Sequence, residues 1–283
     1  MPELPEVETV KRGLEEFIIN ETIRKVYLSE LKLRFPWPKN FISEVVGKEI
    51  VSIKRRAKYI IISLNQGYSI IAHLGMSGSY KVLKKNAPQD YIRLKHDHLV
   101  IELDNFILVY NDPRRFGYID LTNKEPEKHK FLSLLGPEPL SNSFNENDFA
   151  GSLLNKNKSI KNTLLDQSIV SGLGNIYVCE ALFRSKINPK KNCSKLITSK
   201  GKPREKLILL VNKINEVIKE AIDAGGSTLR DFSSTDGKMG YFQTSFYVYD
   251  RENEKCLLDD CGGVIKRVVQ SGRSTFFCSN CQK

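Results

Sequence analysis

The spacing of the cysteines near the C-terminus limits the possible folds of this chain more than any other feature. Four of the six cysteines follow the pattern Cys256-x4-Cys261-x16-Cys278-x2-Cys281, with β-type sequence and a turn signal between the two pairs. Disulfide frameworks usually spread through short secreted chains, so terminal pairs favour a metal. Four thiolates at this spacing predict a closed tetrahedral zinc site, and four unligated thiols are the alternative. Because a closed site has no position for a substrate, the zinc would hold a β-hairpin rather than catalyse.

The charge of the chain predicts a polyanionic partner. Its 283 residues carry 44 Lys and Arg against 33 Asp and Glu, a formal net charge of +11. Lys266, Arg267 and Arg273 lie between the cysteine pairs, and Arg273 follows Ser-Gly at the expected hairpin tip. The metal would therefore aim cations at a polyanion, with nucleic acid the leading candidate and an acidic membrane surface the second.

The first eight residues, Met1-Pro-Glu-Leu-Pro-Glu-Val-Glu8, hold a candidate nucleophile. Removal of Met1 would make Pro2 the N-terminus, and its secondary amine can attack an electrophilic sugar carbon and become a positively charged Schiff base. Glu3 follows as a candidate acid, and this chemistry needs no cofactor. The structural alternative is that the two prolines only stiffen the start of a helix with a favourable acidic first turn.

The first half of the chain is predicted to be mostly β-structure. Apolar residues from Val7 to Ile18 recur at helical spacing and predict an amphipathic helix that anchors the N-terminus. Short apolar runs follow, separated by Gly, Pro, Asn and Asp, at spacings typical of an antiparallel sandwich or barrel. The runs are 26–28, 50–53, 59–64, 69–74, 80–83, 91–94, 99–103, 107–110 and 118–121.

Beyond Gly136-Pro-Glu-Pro139, which neither a helix nor a strand crosses easily, the pattern becomes helical. The clearest helix runs from Leu207 to Ile222 and ends at a glycine pair. Residues 171–177 predict a glycine turn that enters a helix with Asn175 near its N-cap. Free N–H groups there suit an anion, but ordinary helix capping explains Asn175 equally well. The glycine-rich residues 225–241 predict a loop.

Three loops of the first half combine cations, glycines and apolar side chains: Arg55-Arg-Ala-Lys58, Leu74-Gly-Met-Ser-Gly78 and Asp112-Pro-Arg-Arg-Phe-Gly117. Cations beside an apolar wedge suit an opened duplex. The alternatives are charge on a solvated edge and core packing of Met76 and Phe116. Lys95-His-Asp-His98 is a weak metal-ligand set, so a surface or phosphate contact is expected there.

The chain also carries little sign of a membrane or export segment. No apolar run approaches the roughly 20 residues that a membrane span needs, and the acidic start differs from a basic signal peptide. We therefore expect a cytoplasmic protein.

Taken together, the motifs resemble one family, the bacterial formamidopyrimidine-DNA glycosylases, which excise oxidised purines from DNA. The resemblance spans residues 1–283 and rests on the joint occurrence, in order, of segments 1–9, 55–59, 73–78, 95–98, 112–117, 136–139, 172–177, 225–228 and the cysteine quartet. It implies an α+β fold. An N-terminal antiparallel β-sandwich with flanking helices would cover 1–136, a helix-two-turn-helix domain with a lesion-capping loop at 225–241 would cover 137–244, and a zinc β-hairpin would cover 245–283.

The resemblance implies an enzyme that is both a DNA glycosylase and an AP lyase. Pro2 would attack the deoxyribose anomeric carbon and form a Schiff base, and Glu3 would assist base departure and opening of the sugar ring. Lys58 would act in β-elimination and Arg273 in δ-elimination, with both also contacting phosphates. The resemblance further implies one structural zinc ion, double-stranded DNA as the partner, a monomer, and a bacterial cytoplasmic location on nucleoid DNA.

Further residues match the family's DNA contacts. Three match the residues that fill the hole left by the flipped nucleotide, namely Met76, Arg114 and Phe116, with Arg114 facing the orphaned cytosine. Flipping costs a few kcal/mol of stacking, which an apolar wedge and a hydrogen-bond donor can offset. Contacts to the DNA backbone are matched by His73, His96, Asn157 and Asn175.

The sequence departs from the family pattern in two places. The first cysteine pair is spaced x4 where the family usually has x2, which requires a longer ligand loop at 257–260. A usually basic DNA contact falls on Asn157, which Lys156 and Lys158 flank.

Two alternatives remain open. Glycosylases of the endonuclease VIII type share the architecture and remove oxidised pyrimidines, but they commonly begin Pro-Glu-Gly-Pro, so Leu4 favours purine repair. The alternative of a different class is a non-catalytic DNA-binding protein in which Pro2 is only structural.

Overall fold

A computed structural model describes residues 2–85, 91–227 and 242–283 of the chain. It divides into two compact units, one formed by Met1–Ser133 and Ala224–Gln243 and the other by Leu134–Asp223 and Thr244–Lys283. The domain boundaries predicted after residues 136 and 244 stay predictions. Within the described ranges, none of the helices combines the length and the apolar character that a bilayer crossing demands.

The first unit is an antiparallel β-sandwich, as predicted. Its sheets have the strand orders β1-β6-β7-β5 and β2-β3-β4-β8, and each neighbouring pair is antiparallel. The elements are α1 Leu4–Ile18, β1 Lys25–Leu28, α2 Phe41–Val45, β2 Ile50–Arg56, β3 Tyr59–Leu64, β4 Ser69–His73, β5 Ser79–Lys84, β6 Asp97–Glu102, β7 Phe106–Asn111 and β8 Tyr118–Thr122, with 3-10 turns at Asn65–Gly67 and Pro126–Lys128.

Helix α1 is the predicted N-terminal helix, and it contacts strands of both sheets. Its Val7, Val10 and Leu14 are fully buried in the core between the sheets. Pro5 lies in the first turn, where its missing N–H costs no helical hydrogen bond. The helix ends before Asn20, whose φ of 64° is left-handed. The core therefore anchors the start of α1, where the candidate nucleophile lies.

The strand predicted at 91–94 is wrong, whereas the other eight runs lie largely within β1 to β8. This segment is irregular, and a carboxylate rather than a neighbouring strand holds it. The Leu94 N–H donates to Asp97 Oδ2 at 2.7 Å, and the Tyr91 hydroxyl donates to the same oxygen at 2.9 Å. Ile92 and Leu94, which suggested a strand, are exposed. Their apolar character therefore carried no information about burial.

The second unit is helical and ends in a two-stranded hairpin, as predicted. Helix α5 packs against α4, α6 and the last strand, and α6 confirms the long helix expected from its apolar periodicity. The elements are α3 Glu146–Ser152, α4 Ile160–Leu164, α5 Asn175–Arg184, α6 Glu205–Asp223, β9 Ile265–Gln270 and β10 Arg273–Cys278, with 3-10 turns at Cys193–Leu196 and Phe242–Ser245.

A buried carboxylate fixes the chain where it approaches the hairpin. Glu180 of α5 is fully buried. Its Oε1 accepts hydrogen bonds from the N–H groups of Val248 and Tyr249 at 3.0 and 2.9 Å, and its Oε2 accepts one from Tyr247 at 2.9 Å. Burial raises the pKa of Glu180, although these hydrogen bonds oppose the rise. The three amides compensate for burial of the carboxylate and hold residues 247–249 against α5.

The four C-terminal cysteines form a zinc site at one end of the hairpin. Their sulfur atoms all lie within 4.8 Å of one another. The Sγ–Sγ distances are 3.7 Å for Cys256–Cys281, 3.6 Å for Cys261–Cys278 and 3.5 Å for Cys261–Cys281. Tetrahedral zinc with bonds of about 2.3 Å separates its sulfur ligands by about 3.8 Å, so this donor set fits the ion. The site holds one structural zinc.

The longer first ligand loop keeps this geometry. The Cys261 N–H donates to the Leu258 carbonyl at 3.3 Å, and Asp260 adopts a left-handed φ of 59°. The four residues between the cysteines therefore form a turn that returns Cys261 to the cluster. Gly263 follows, and a Cβ at that position would lie 2.6 Å from Cys278 Sγ. The glycine is required because the chain passes so close to a ligand atom.

Replacing Cys278 by serine should lower the zinc content and weaken DNA binding, because the metal holds the base of the cationic hairpin and metal binding contributes directly to folding. Cys193→Ser is the matched control, since Cys193 is also buried but lies outside the cluster. Zinc can be measured by elemental mass spectrometry and affinity by fluorescence anisotropy. Wild-type values for both quantities in Cys278→Ser would rule out that zinc holds the hairpin in the form that binds DNA.

Replacing Glu180 by glutamine should lower the free energy of unfolding by about 1–3 kcal/mol, because an amide NH₂ would then face a buried backbone N–H. Glu220→Gln serves as the control, since Glu220 pairs with Arg184 from a half-exposed position. Its effect should stay within about 0.5 kcal/mol. Urea unfolding measures both variants, and equal stability of the two would contradict the anchoring role of Glu180.

Candidate active site and nucleic-acid interface

The residues predicted for chemistry in the first unit are Pro2, Glu3 and Lys58, and all three are buried. Glu3 is the N-cap residue of α1 and has an extended backbone. Its N–H donates to Glu6 Oε2 at 2.8 Å. The positive end of the helix dipole stabilises a carboxylate at this position. The fold thus fixes the Glu3 backbone directly beside Pro2. Met1 lies outside the described residues.

Glu6 is a positioning residue that the sequence analysis missed. It is fully buried, and its Oε1 accepts from the Ser227 N–H at 2.8 Å and from the Ser227 hydroxyl at 2.9 Å. Gly226 packs so closely that a Cβ there would lie 3.1 Å from the same oxygen. Glu6 therefore joins the helix start to the chain at Ser227. The predicted lesion-capping loop continues from there, but residues 228–241 lie outside the described residues.

Lys58 lies in the turn between β2 and β3, and an ion pair ties this turn to α1. Arg55 Nε contacts Glu8 Oε2 at 2.8 Å, and Arg55 also donates to the Ala57 carbonyl at 3.2 Å. Burial raises the pKa of Glu8, but the hydrogen bonds and charges of Arg55, Arg12 and Lys11 together leave the pKa below its usual range. Glu8 is five residues from Glu3, about 7.5 Å along the helix. The structure therefore connects the Lys58 turn to the first turns of α1.

His73 is a neutral hydrogen-bond donor. Its Nδ1 accepts from the Gly75 N–H at 3.0 Å, so the proton of the neutral ring lies on Nε2. Burial, together with the charges of Lys58 and Arg34, lowers the pKa of His73 to about 4. The ring therefore remains uncharged at neutral pH. An Nε2–H donor beside two cations suits a phosphate oxygen.

An open cavity of about 690 Å³ in the first unit brings together four of the predicted DNA contacts, which are His73, Met76, Arg114 and Phe116. The Arg114 guanidinium lies 5.1 Å from the centre of the Phe116 ring. Phe116 is 45% exposed, so the alternative that it packs in the core is wrong. Lys32 and Arg34 also line the cavity and add positive charge that the sequence did not single out.

The histidines of the 95–98 segment have different roles. His98 is buried, with Nδ1 2.9 Å from the Ser29 hydroxyl and Nε2 3.0 Å from the Asp112 carbonyl. Two protein partners occupy its ring, and among the described residues only the cysteine cluster gathers enough ligands for a metal. His96 is half-buried, and its carbonyl accepts from the Asp112 N–H at 3.0 Å. His98 is therefore structural, while the DNA contact of His96 stays a prediction.

In the second unit, Arg273 is exposed at the hairpin tip, as predicted. Ser271 and Gly272 have φ values of 48° and 75° and join Gln270 to Arg273, the residues that close the ladder. Positive φ at both central residues is typical of a type I′ turn, whose twist matches that of the strands. The local sequence Ser-Gly therefore determines where the Arg273 side chain emerges.

Two side chains of helices α4 and α5 hold this tip in place by donating hydrogen bonds to it. Lys161 Nζ donates to the Ser274 carbonyl at 2.8 Å and to Thr275 Oγ1 at 2.7 Å. Asn175 Nδ2 donates to the same Ser274 carbonyl at 2.8 Å. Lys161 is fully buried, and it could not be predicted because nothing in its local sequence pattern marks a buried lysine.

Asn175 does not cap its helix. The N-cap residue of α5 is Gly174, and Asn175 is the first helical residue. The capping alternative is therefore wrong, and the Asn175 side chain instead contacts the hairpin. Asn157 is exposed between α3 and α4, with Lys156 half-buried and Lys158 exposed beside it. The DNA contacts of Asn157 and Asn175 stay predictions.

Comparisons with known proteins agree with this arrangement. The family models described as formamidopyrimidine-DNA glycosylase N-terminal domain, formamidopyrimidine-DNA glycosylase H2TH domain and zinc finger found in FPG and IleRS match residues 1–119, 135–233 and 253–283. The formamidopyrimidine-DNA glycosylases of Agrobacterium fabrum and Rhodopseudomonas palustris are each 47% identical, with 100% of both chains covered. A solved complex between the Lactococcus lactis Fpg and an abasic site containing DNA is 37% identical, with full coverage of both chains and a TM-score of 0.86. The chain therefore belongs to the formamidopyrimidine-DNA glycosylase family.

Proposed function

We propose that this chain is a base-excision repair enzyme that removes oxidised purines, 8-oxoguanine and formamidopyrimidines, from double-stranded DNA and then nicks the abasic site. Its relatives carry the name formamidopyrimidine-DNA glycosylase. The Lactococcus lactis relative forms complexes with abasic DNA and, as a point mutant, with Fapy-dG containing DNA. The observation that supports the proposal most is the start of α1, where Pro2 and Glu3 are buried and the Glu6 carboxylate accepts a hydrogen bond from the Glu3 N–H.

The first step requires removal of Met1, which leaves Pro2 as a secondary amine. α-Amino groups titrate at about 7.7–8.0, so free base is present near neutral pH. The nitrogen lone pair attacks C1′ of the damaged nucleoside, and the bond from C1′ to the base breaks with its electron pair leaving on the base. The Glu3 carboxylate accepts the proton that the Pro2 nitrogen releases and then donates it to the ring oxygen as the sugar opens. The product is a positively charged Schiff base between Pro2 and the sugar.

The second step is strand cleavage. The positive Schiff base acidifies the neighbouring C2′ hydrogen, so loss of that proton expels the phosphate on the 3′ side. A further elimination expels the phosphate on the 5′ side. Lys58 and Arg273 act by contacting the phosphates and stabilising their negative charge. All proposed catalytic residues belong to one chain, so the proposal describes a monomer, and the zinc ion takes no part in these steps.

The cavity residues would stabilise DNA from which the damaged nucleotide has been flipped out. Met76 and Phe116 would fill the vacated space, and Arg114 would donate to the base left unpaired. His73 and His96 would contact backbone phosphates from the domain at 1–136, and Asn157 and Asn175 from the domain at 137–244. The hairpin at 245–283 would bring Arg273 to the lesion. Apolar insertion plus new hydrogen bonds offsets the stacking lost on flipping.

The two alternatives predict different chemistry. An enzyme of the endonuclease VIII type would prefer oxidised pyrimidines, but Leu4 and the names of the full-length relatives favour purines. A non-catalytic DNA-binding protein would bind damaged duplex without forming a covalent intermediate.

Borohydride reduction during reaction with an 8-oxoguanine duplex should trap a covalent complex of protein and DNA, because hydride reduces the Schiff base to a stable amine. Peptide mass spectrometry should place the DNA on the N-terminal proline. The matched control is the same chain with two additional residues before Pro2, which should bind DNA but give no adduct. Tight binding by the natural chain without an adduct would favour the non-catalytic alternative.

Replacing Arg273 by alanine should slow δ-elimination by about tenfold or more, since a donor to a developing anion is worth at least that much. Nicked product from β-elimination should accumulate, and denaturing gels resolve the two products. Lys266→Ala is the control, because Lys266 is an exposed cation of the same hairpin to which neither elimination step is assigned. The same product ratio in Arg273→Ala and in the natural chain would remove Arg273 from the mechanism.

A further inference from the structure

Asp112 joins two loops that are distant in sequence, and residues of both loops line the cavity described above. It is fully buried. Its Oδ1 accepts from the Ser77 hydroxyl at 2.6 Å, and its Oδ2 accepts from the Gly117 N–H at 2.7 Å. The Tyr110 hydroxyl also donates to Oδ2, at 3.4 Å. One carboxylate therefore connects the 74–78 loop with the 112–117 loop.

Ser77 extends this connection to Arg114. Its buried hydroxyl oxygen accepts from the Arg114 N–H at 3.2 Å while the hydroxyl hydrogen is donated to Asp112. The Ser77 hydroxyl thus bridges the carboxylate of Asp112 and the backbone of the arginine. A change at Ser77 reaches the Arg114 backbone through one hydrogen bond, and a change at Asp112 reaches it through two.

The two loops also interlock through glycines. A Cβ on Gly75, whose φ is 64°, would lie 2.4 Å from the Phe116 carbonyl carbon. A Cβ on Gly117 would lie 1.7 Å from the Tyr110 hydroxyl oxygen. Because the backbones of the two loops meet at Gly75 and Gly117 packs on the Tyr110 side chain, a shift of one loop displaces the other.

The tips of the same loops face outward. Phe116 is 45% exposed, Arg114 is exposed and Met76 is half-buried, although Ser77 and Asp112 of the same loops are buried. The two loops therefore combine a buried pair of hydrogen-bonded polar side chains with an exposed group of apolar and cationic side chains. We define Met76, Arg114 and Phe116 as the wedge.

We infer that Asp112 is a positioning residue that makes the two loops one rigid wedge and thereby sets how well Arg114 selects the base opposite the lesion. The inference rests on the proposed function, in which Arg114 meets the unpaired base. It adds to the proposed function a residue that acts through the position of Arg114 and need not touch DNA itself.

The chemistry of the two bases explains why rigidity matters. An unpaired cytosine presents two adjacent acceptors, O2 and N3, which match the paired donors of a guanidinium. Adenine presents one acceptor, N1, beside the N6 donor, so a guanidinium gains only one hydrogen bond there. A well-placed bidentate pair is worth about 5- to 150-fold in discrimination. That factor is lost when the donor group is displaced by more than about half an ångström.

Asp112→Asn tests the inference with an almost isosteric change. An amide has one oxygen, so its NH₂ group must face either the Gly117 N–H or the Ser77 hydroxyl. Ser77→Ala is a second, smaller change that removes only the bridge to Arg114, and it keeps the test valid if Asp112→Asn does not fold. Asp104→Asn is the matched control, since Asp104 is bonded to Thr22 and Arg24 in the same unit.

The measurement is the single-turnover excision rate of 8-oxoguanine opposite cytosine divided by the rate opposite adenine. We expect this ratio to fall about fivefold or more in Asp112→Asn and Ser77→Ala, and to stay unchanged in Asp104→Asn. A general structural defect would lower both rates but leave their ratio alone. A wild-type ratio in both Asp112→Asn and Ser77→Ala, whatever their absolute rates, would overturn the inference.

Borohydride trapping on a single-stranded oligonucleotide with a preformed abasic site separates this test from the proposed function. No opposite base is present there, so the variants should trap as well as the natural chain. If the natural chain itself fails to trap on abasic DNA, the proposed function fails. If it traps while the ratio is unmoved by both substitutions, only the role of Asp112 fails.

Discussion

The hydrogen bond from a backbone amide to a fully buried carboxylate is the interaction on which this structure depends. Glu6, Asp112 and Glu180 are each fully buried, and each receives amide hydrogen bonds between 2.7 and 3.0 Å. Burial of a carboxylate is unfavourable unless such donors replace its water. Once they do, the carboxylate holds several chain segments at fixed distances, because each of its oxygens accepts from defined directions.

Each of these carboxylates supports, through hydrogen bonds, a neighbouring group for which we propose a role in catalysis or DNA binding. Glu6 holds Glu3 and Ser227 at the start of α1, Asp112 supports the wedge, and Glu180 fixes the chain that enters the hairpin. The reactive or DNA-contacting groups are thereby kept on rigid bases. A catalytic group that is misplaced by about 1 Å can lose about 100-fold in rate, so this support is a requirement of the chemistry.

The sequence predicted the elements better than it predicted these connections. The sandwich, α1, α6 and the zinc hairpin follow from local periodicity and from the four cysteines, and all were correct. The strand at 91–94 failed because its apolar residues are exposed. The buried carboxylates were missed because their partners are distant, with sequence separations of 221 for Glu6 and Ser227 and 68 for Glu180 and Val248. An acid in an amphipathic helix resembles an exposed one until its distant partner is known.

Local and distant interactions together determine the position of the Arg273 side chain in the hairpin. The cysteine spacing alone suggested that the metal sets the direction of Arg273. Arg273 and Cys278, however, lie at opposite ends of β10, about 17 Å apart along a strand that rises about 3.3 Å per residue. Zinc fixes the far end, and the Ser-Gly turn fixes the strand register. Neither prevents the tip from tilting. The hydrogen bonds from Lys161 and Asn175 to the Ser274 carbonyl do so, because they act on the residue next to Arg273.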